Sequence, residues 1–151
     1  MRLEKEIEVP SAPETVWAFL SDIERLAHCL PGCRDVRALV PHERYEAVIS
    51  ERVGPFSVRI PLDIQVTEAD EPCRRLKAEA AGRDEVMGTS LRVTLDLRVE
   101  VAGAGSRVII VSDASLSGRL TALGDGFIRQ QADGIMTKFA QAVQRELEGA
   151  G

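Results

Sequence analysis

The sequence predicts an α+β domain of two layers, in which a curved antiparallel sheet wraps around one long C-terminal helix. Two observations support this fold class. Apolar residues between positions 118 and 147 recur in steps of three and four, which is typical of one helix face, whereas apolar and polar residues alternate through much of the region between 34 and 117. A helix of that length spans roughly 45 Å. Only an extended sheet can cover its apolar stripe, and a sheet of that size must twist and curl.

The first predicted elements are a strand and two short helices. Residues 3–9 alternate between apolar side chains and charged ones, mostly glutamates, which indicates a half-buried strand with an acidic outer face. Ser-x-x-Glu spacing at residues 11–14 is that of a capping box and predicts the first helix. The same spacing at residues 21–24 predicts the second helix, which ends at the Pro-Gly pair of residues 31–32.

Six further strands are predicted before the last helix. Their alternation leaves one polar face on most strands, which favours an antiparallel sheet with one side in water. Gly54-Pro55, Glu71-Pro72 and the glycines around residue 104 mark turns between them. The predicted strands are residues 34–40, 44–53, 56–67, 74–82, 89–101 and 107–117, so we expect a seven-stranded sheet in a single domain of residues 1–148, with residues 149–151 as a frayed tail.

Composition narrows the possible functions. The chain has 151 residues, 44% of them hydrophobic and 28% charged, with a net charge of -5, which is typical of a water-soluble globular domain and unfavourable for binding nucleic acid. No apolar run is long enough to span a membrane, and the first residues do not form a signal peptide. Three cysteines without a secretory signal favour a reducing compartment, so we expect a cytoplasmic protein.

Small residues at predicted inward positions raise the question of a cavity. These positions are Ala47, Ala78, Ala80, Ser112 and Ala114, and aromatic residues make up only 4% of the chain. A curved sheet that meets a straight helix leaves either an apolar pocket or a core filled by bulky neighbours. A void costs roughly 24 cal/mol per Å³, so a large one is retained only for function. Composition alone leaves both alternatives open.

The cysteines and histidines do not predict a metal site or a catalytic centre. Cys29 and Cys33 are four residues apart, with His28 beside them, but the intervening Pro-Gly pair breaks the spacing that a zinc site requires. Cys73 and His42 lie elsewhere in the sequence. Buried thiols at a helix end explain the pattern better. A nucleophilic Cys33 would need a base, and no motif supplies one. We therefore predict neither a metal nor a cofactor.

Glu51 is the carboxylate most suited to a chemical role. Strict alternation places it on the inward face, where it could orient a ligand or act as a general base. The alternative, which the cost of burying a carboxylate favours, is a bulge before Gly54 that turns Glu51 towards solvent. Ser112, Gln131 and Thr121 are further polar residues that could touch a ligand.

Several local motifs occur together along the chain. They are the strand end, Ala-Pro-Glu and Val-Trp of residues 9–17, the Leu-Ser-Asp of 20–22, the Leu-Pro-Gly-Cys of 30–33, the Val-Gly-Pro of 53–55, and the Gly-Arg-Leu of 118–120 leading through Leu-Gly at 123–124. With this order of elements, the chain resembles the carbon monoxide dehydrogenase G subunit (CoxG) family of the START-like helix-grip (SRPBCC) superfamily. The resemblance covers nearly the whole chain.

The resemblance implies a helix-grip fold and a non-enzymatic accessory protein that holds a small hydrophobic molecule, similar to a lipid or quinone. It also implies a molybdenum hydroxylase of the carbon monoxide dehydrogenase type as partner. Family members often carry a C-terminal extension tied to membrane attachment, whereas this sequence ends after the helix, and Phe56 replaces a usually smaller residue. Peripheral association with the inner face of the membrane therefore stays open.

We expect the ligand to lie between the sheet and the last helix. The residues expected to line its site are Leu30, Ile60, Leu62, Leu95, Ile110, Leu116, Leu123, Phe127 and Ile135. One alternative is an enzyme of the same superfamily, a polyketide cyclase, a dehydratase or a hydrolase, that uses Glu51 or a histidine as base. Another is a vestigial pocket on a protein whose surface docks part of a hydroxylase.

Overall fold

The computed structural model describes residues 1–150, apart from the side chain of Ala150. Its sheet has seven strands: β1 Arg2–Val9, β2 Cys33–Val40, β3 Arg44–Val53, β4 Phe56–Asp70, β5 Arg75–Asp84, β6 Thr89–Ala102 and β7 Gly105–Ser117. The strand order is β1-β7-β6-β5-β4-β3-β2, and all neighbours pair antiparallel. The predicted curved, seven-stranded antiparallel sheet is confirmed.

Two short helices, α1 (Pro13–Leu20) and α2 (Ile23–Ala27), connect β1 to β2, as predicted. Their caps differ from the prediction. Ala12 occupies the N-cap of α1, and the Ser11 hydroxyl instead donates a hydrogen bond of 3.0 Å to the Leu147 carbonyl near the C-terminal end of the chain. Asp22, one residue after the predicted Ser21, caps α2 by accepting the backbone N–H of Arg25.

The last helix starts later than the sequence predicts. A 3-10 helix covers Arg119–Leu123, and the α-helix α3 covers Asp125–Ala150, so the prediction of one helix from residue 118 is wrong at its start. Gly118 and Gly124 adopt φ angles of 102° and 95°, which interrupt a right-handed helix. At Gly118, a Cβ atom would lie 2.0 Å from the Gly88 carbonyl oxygen, so this turn depends on a contact with another part of the chain.

The C-terminal half of α3 packs in the hydrophobic core. Phe139, Val143 and Leu147 are each at most 1% exposed and pack in the main apolar cluster with β1, α1 and β7. Phe127 and Ile128, in the first turn, are only half-buried. The apolar stripe that the sequence predicts is therefore real, but its two ends are buried to different degrees.

The strand β2 at the sheet edge pairs irregularly with β3. Its register shifts between Arg34 and Arg37 and again between Ala38 and Val40. Leu39 and Val40 are 45% and 41% exposed. The weak alternation of residues 34–40 is thus reflected in a strand with an interrupted ladder.

Two further observations concern the helices. Among residues 1–150, no helix is both long and apolar enough to cross a membrane. The helix α3 includes Gly149 and Ala150, and the predicted frayed tail of residues 149–151 stays a prediction because Gly151 lies outside the described residues.

The unequal burial of the predicted apolar stripe predicts unequal effects of two leucine truncations, one in α3 and one in the preceding 3-10 helix. Leu147→Ala should lower the free energy of unfolding by about 2–5 kcal/mol, because Leu147 is fully buried and leaves a cavity. The matched control Leu123→Ala, at a half-buried site of the same predicted stripe, should cost about half as much or less. Urea unfolding followed by circular dichroism measures both. Equal losses would contradict the unequal burial of the two ends of this stripe.

Candidate functional site

A cavity of about 110 Å³ lies between the sheet and the helices. Its walls come from α2 on one side, from the concave face of β4, β5 and β6 on another, and from the middle of α3. Its lining is almost wholly apolar and consists of Ile23, Leu26, Ala27, Leu30, Leu62, Ile64, Leu76, Ala78, Glu79, Ala80, Val93, Leu95, Leu97, Met136 and Phe139. The strand β5 contributes Ala78 and Ala80 to this lining, two of the small residues predicted to face inward.

The volume sets the size of molecule that fits. An apolar cavity of roughly 150 Å³ holds a benzene molecule, whereas sites for drug-sized ligands span about 300–1,000 Å³. At about 110 Å³ the cavity is smaller than such a benzene site, so in this conformation it accepts only a short alkyl chain. A ring or a longer molecule requires α2 or α3 to move outwards. Met136 on the wall has three rotatable bonds and can adapt to different shapes.

Three of the nine predicted site residues, Leu30, Leu62 and Leu95, lie on the cavity wall. Six lie elsewhere: Ile110 is fully buried in the main cluster, Ile60, Leu116 and Leu123 pack in a second apolar cluster around Leu120, Phe127 lies beside Gly54, and Ile135 is half-buried on α3. The structure thus brings a third of the predicted set together. Contact of any of the nine with a ligand stays a prediction.

Of the twelve wall residues that the predicted set missed, seven come from β4, β5 and β6 and five from α2 and α3. Met136 and Phe139 are three positions apart on α3, and Ile23 and Leu26 have the same spacing on α2. This spacing places each pair on one helix face. The signal was present in the sequence, but periodicity alone does not show which turn of a helix lies opposite the small residues of β5.

Glu51 faces the concave side of the sheet. It pairs with Val58, which is 4% exposed, in an unbroken β3–β4 register, so the predicted bulge is wrong and strict alternation is right. The Glu51 side chain is half-buried and lies against Gly32, where a Cβ atom would approach its Oε1 within 3.0 Å. Glu51 is not part of the cavity lining.

Asp84 is a buried carboxylate that the sequence did not indicate. It is 4% exposed and accepts backbone N–H groups from Arg59, Val86 and Met87 at 2.9–3.0 Å. These hydrogen bonds, above all that from Arg59, lower the pKa of the Asp84 carboxyl. One Asp84 oxygen accepts the N–H groups of Val86 and Met87 in the β5–β6 loop and the other accepts that of Arg59 on β4, so Asp84 ties this loop to β4.

The cysteines do not form a reactive centre. Burial raises the pKa of the Cys29 thiol to about 11, with a further contribution from the nearby Glu146 carboxylate, and burial also raises the pKa of Cys33. Both thiols therefore stay protonated at neutral pH, and a protonated thiol is a poor nucleophile. Within residues 1–150, no three His, Cys, Asp or Glu side chains come together as a metal site would require.

Comparison with known proteins gives both a family and a fold. The model of the carbon monoxide dehydrogenase G subunit (CoxG) family matches residues 6–148. No protein of curated function matches by sequence. Among solved structures, a conserved protein from Geobacillus kaustophilus is similar, with a TM-score of 0.82, 19% identity, and coverage of 99% of this chain and 97% of that one.

Two other solved structures share the architecture at low identity. A protein from Thermus thermophilus has a TM-score of 0.75 at 15% identity, covering 100% of this chain and 99% of its own. The Zhui aromatase/cyclase from Streptomyces sp. R1128 has a TM-score of 0.66 at 14% identity, and the match covers 99% of this chain and 92% of that one. Such likeness at low identity shows the helix-grip fold alone. The family match extends over nearly the whole chain, and the chain belongs to the carbon monoxide dehydrogenase G subunit (CoxG) family.

Proposed function

We propose that this protein binds a small hydrophobic molecule, lipid-like or quinone-like, in the cavity between the sheet and α3, and that it does so without catalysing a reaction. The observation that carries this proposal is an apolar cavity on the concave face of the sheet, in a chain of the CoxG family. Burial of apolar surface supplies the affinity for such a ligand.

The energetics of the empty cavity support the same proposal. At roughly 24 cal/mol per Å³, a void of about 110 Å³ costs the fold roughly 2–3 kcal/mol. Phenylalanine or leucine in place of Ala78 and Ala80 would remove much of that cost. A ligand that enters the void restores the missing contacts, so retention of small side chains there fits a binding role.

The proposed partner is a molybdenum hydroxylase of the carbon monoxide dehydrogenase type. The name of the family supports this proposal. Affinity purification from cells that express such a hydroxylase should recover its subunits together with this protein, whereas an unrelated helix-grip protein of similar charge should recover none. Absence of the hydroxylase from both purifications would count against the partnership.

A second candidate function is catalysis of the cyclase type. The inward, half-buried Glu51 favours it, because a carboxylate in such surroundings is suited to accept a proton. Against it, Glu51 lies outside the cavity lining, so a ligand in the cavity does not touch its carboxylate.

Substitutions at two neighbouring alanines of β5 test the cavity. Ala80→Phe should weaken binding of toluene at least about ten-fold, because the new ring occupies the space between Ile64 and Val93. The control Ala81→Phe adds the same ring on the opposite face, where Ala81 pairs with the exposed Asp63 and Arg92, and should leave binding unchanged. Saturation-transfer NMR and the ligand-induced rise in Tm measure both. Equal toluene binding by the two variants would refute this site.

A conservative substitution separates binding from catalysis. Glu51→Gln should leave the toluene affinity within about two-fold of the wild type, because the carboxylate does not line the cavity. The same variant provides the test of the cyclase alternative. Turnover of a polyketide-like or ester substrate by the wild type, lost in Glu51→Gln while the fold is kept, would establish the enzyme and overturn the non-catalytic proposal.

A further inference from the structure

A basic surface cleft adjoins the cavity. It lies between α3 and the turn that connects α2 to β2, and its volume is about 750 Å³. The residues that line it are His28, Cys29, Leu30, Pro31, Gly32, Cys33, Arg34, Lys138, Gln141, Ala142 and Arg145. Lys138 and Arg145 are seven positions apart on α3 and therefore lie on one face of the helix, two turns apart.

The charge of this cleft differs from that of the molecule. The whole chain carries a net charge of -5, yet the cleft lining has three permanent cations and no carboxylate. None of the ion pairs between described residues involves Arg34, Lys138 or Arg145. Unpaired cations that converge on one cleft create a local positive potential, which favours an anionic group.

The carboxylates around the cleft have other neighbours. Glu146, next to Arg145 in sequence, pairs with Arg25 at 3.5 Å. Glu51 lies against Gly32 from the concave face of the sheet. His28 donates its Nδ1 proton to the Glu24 carbonyl at 2.6 Å, which leaves its Nε2 free. Among the described residues, no carboxylate forms a salt bridge with Arg34, Lys138 or Arg145.

Leu30 lies between the two spaces. Its half-buried side chain belongs to the lining of the apolar cavity and also to that of the basic cleft. A molecule that displaces this one side chain and spans both spaces has an apolar environment at one end and a cationic one at the other. The distribution of charge and apolar surface therefore matches an amphiphile.

We propose that the cleft binds the anionic head group, a carboxylate or a phosphate, of an amphiphile whose apolar part occupies the cavity. This inference rests on the proposed binding function and adds the chemical class of the ligand. Arg34 and Arg145 supply guanidinium groups that can donate paired hydrogen bonds to carboxylate or phosphate oxygens, and Lys138 supplies a third charge. Gln141, between the two cations of α3, supplies an amide donor.

Two ligands that differ only in their head group test the proposal. Wild-type protein should bind octanoate more tightly than 1-octanol, although the alcohol is the more hydrophobic molecule, and high salt should weaken only octanoate binding. The double variant Lys138→Gln/Arg145→Gln should lose about ten-fold in octanoate affinity and keep its 1-octanol affinity. Isothermal titration calorimetry measures all four affinities.

The matched control is Arg92→Gln/Arg98→Gln. It removes the same charge from exposed positions on the outer face of β6 and should bind octanoate as the wild type does. All four substituted residues are exposed, and circular dichroism verifies that both variants fold. Octyl phosphate, titrated in parallel, shows whether a phosphate head group is preferred to a carboxylate.

Each other outcome has a distinct meaning. Equal octanoate binding by wild type and Lys138→Gln/Arg145→Gln, with 1-octanol still bound, would overturn the head-group site and leave the binding function standing. If neither ligand binds the wild type, the binding function fails too. Octanoate that still binds Ala80→Phe would show a site for free anions only, which also overturns the proposal. If Lys138→Gln/Arg145→Gln loses binding to phosphatidylglycerol vesicles but binds octanoate as the wild type does, the cleft is a membrane-docking surface instead.

Discussion

The rest of the structure depends on how α3 is held against the sheet. Phe139, Val143 and Leu147 are buried in the main core, and the Ser11 hydroxyl donates to the Leu147 carbonyl, so the C-terminal half of the helix is fixed. Each large apolar side chain contributes about 1.5–3 kcal/mol when fully buried, as an upper bound. The first turn of α3 is held less firmly, because Phe127 and Ile128 are only half-buried. The cavity lies beside the middle of α3, where Met136 and Phe139 line it together with residues of β4, β5 and β6.

Much of the fold was predictable because it follows from local periodicity. Strict alternation identified β4 and β6, and the steps of three and four identified α3. What the sequence missed depends on contacts between distant segments. The 3-10 helix before α3 requires Gly118 to approach the Gly88 carbonyl, and Ser11, which has the spacing of a cap, bonds to Leu147 instead. No pattern within a short window contains these contacts.

The candidate site was predictable only in part, for a related reason. Alternation shows which face of a strand is inward, so Leu62 and Leu95 were placed correctly on the concave side. It does not show which stretch of a strand lies beside the cavity. Ile60 faces the same side as Leu62 and packs in the same second apolar cluster, but only Leu62 also lines the cavity. The position of the void follows from Ala78 and Ala80 lying opposite Met136 and Phe139, which is a property of tertiary packing.

The interrupted ladder of β2 has a consequence for association between molecules. A regular, exposed edge strand offers a row of unpaired N–H and C=O groups on which a strand from another chain can add, and this is a common origin of aggregation. The register shifts around Arg37 and Ala38 break that row, and positively charged arginines flank it. The edge that carries the exposed Leu39 and Val40 is therefore a poor template for intermolecular strand addition, despite its apolar side chains.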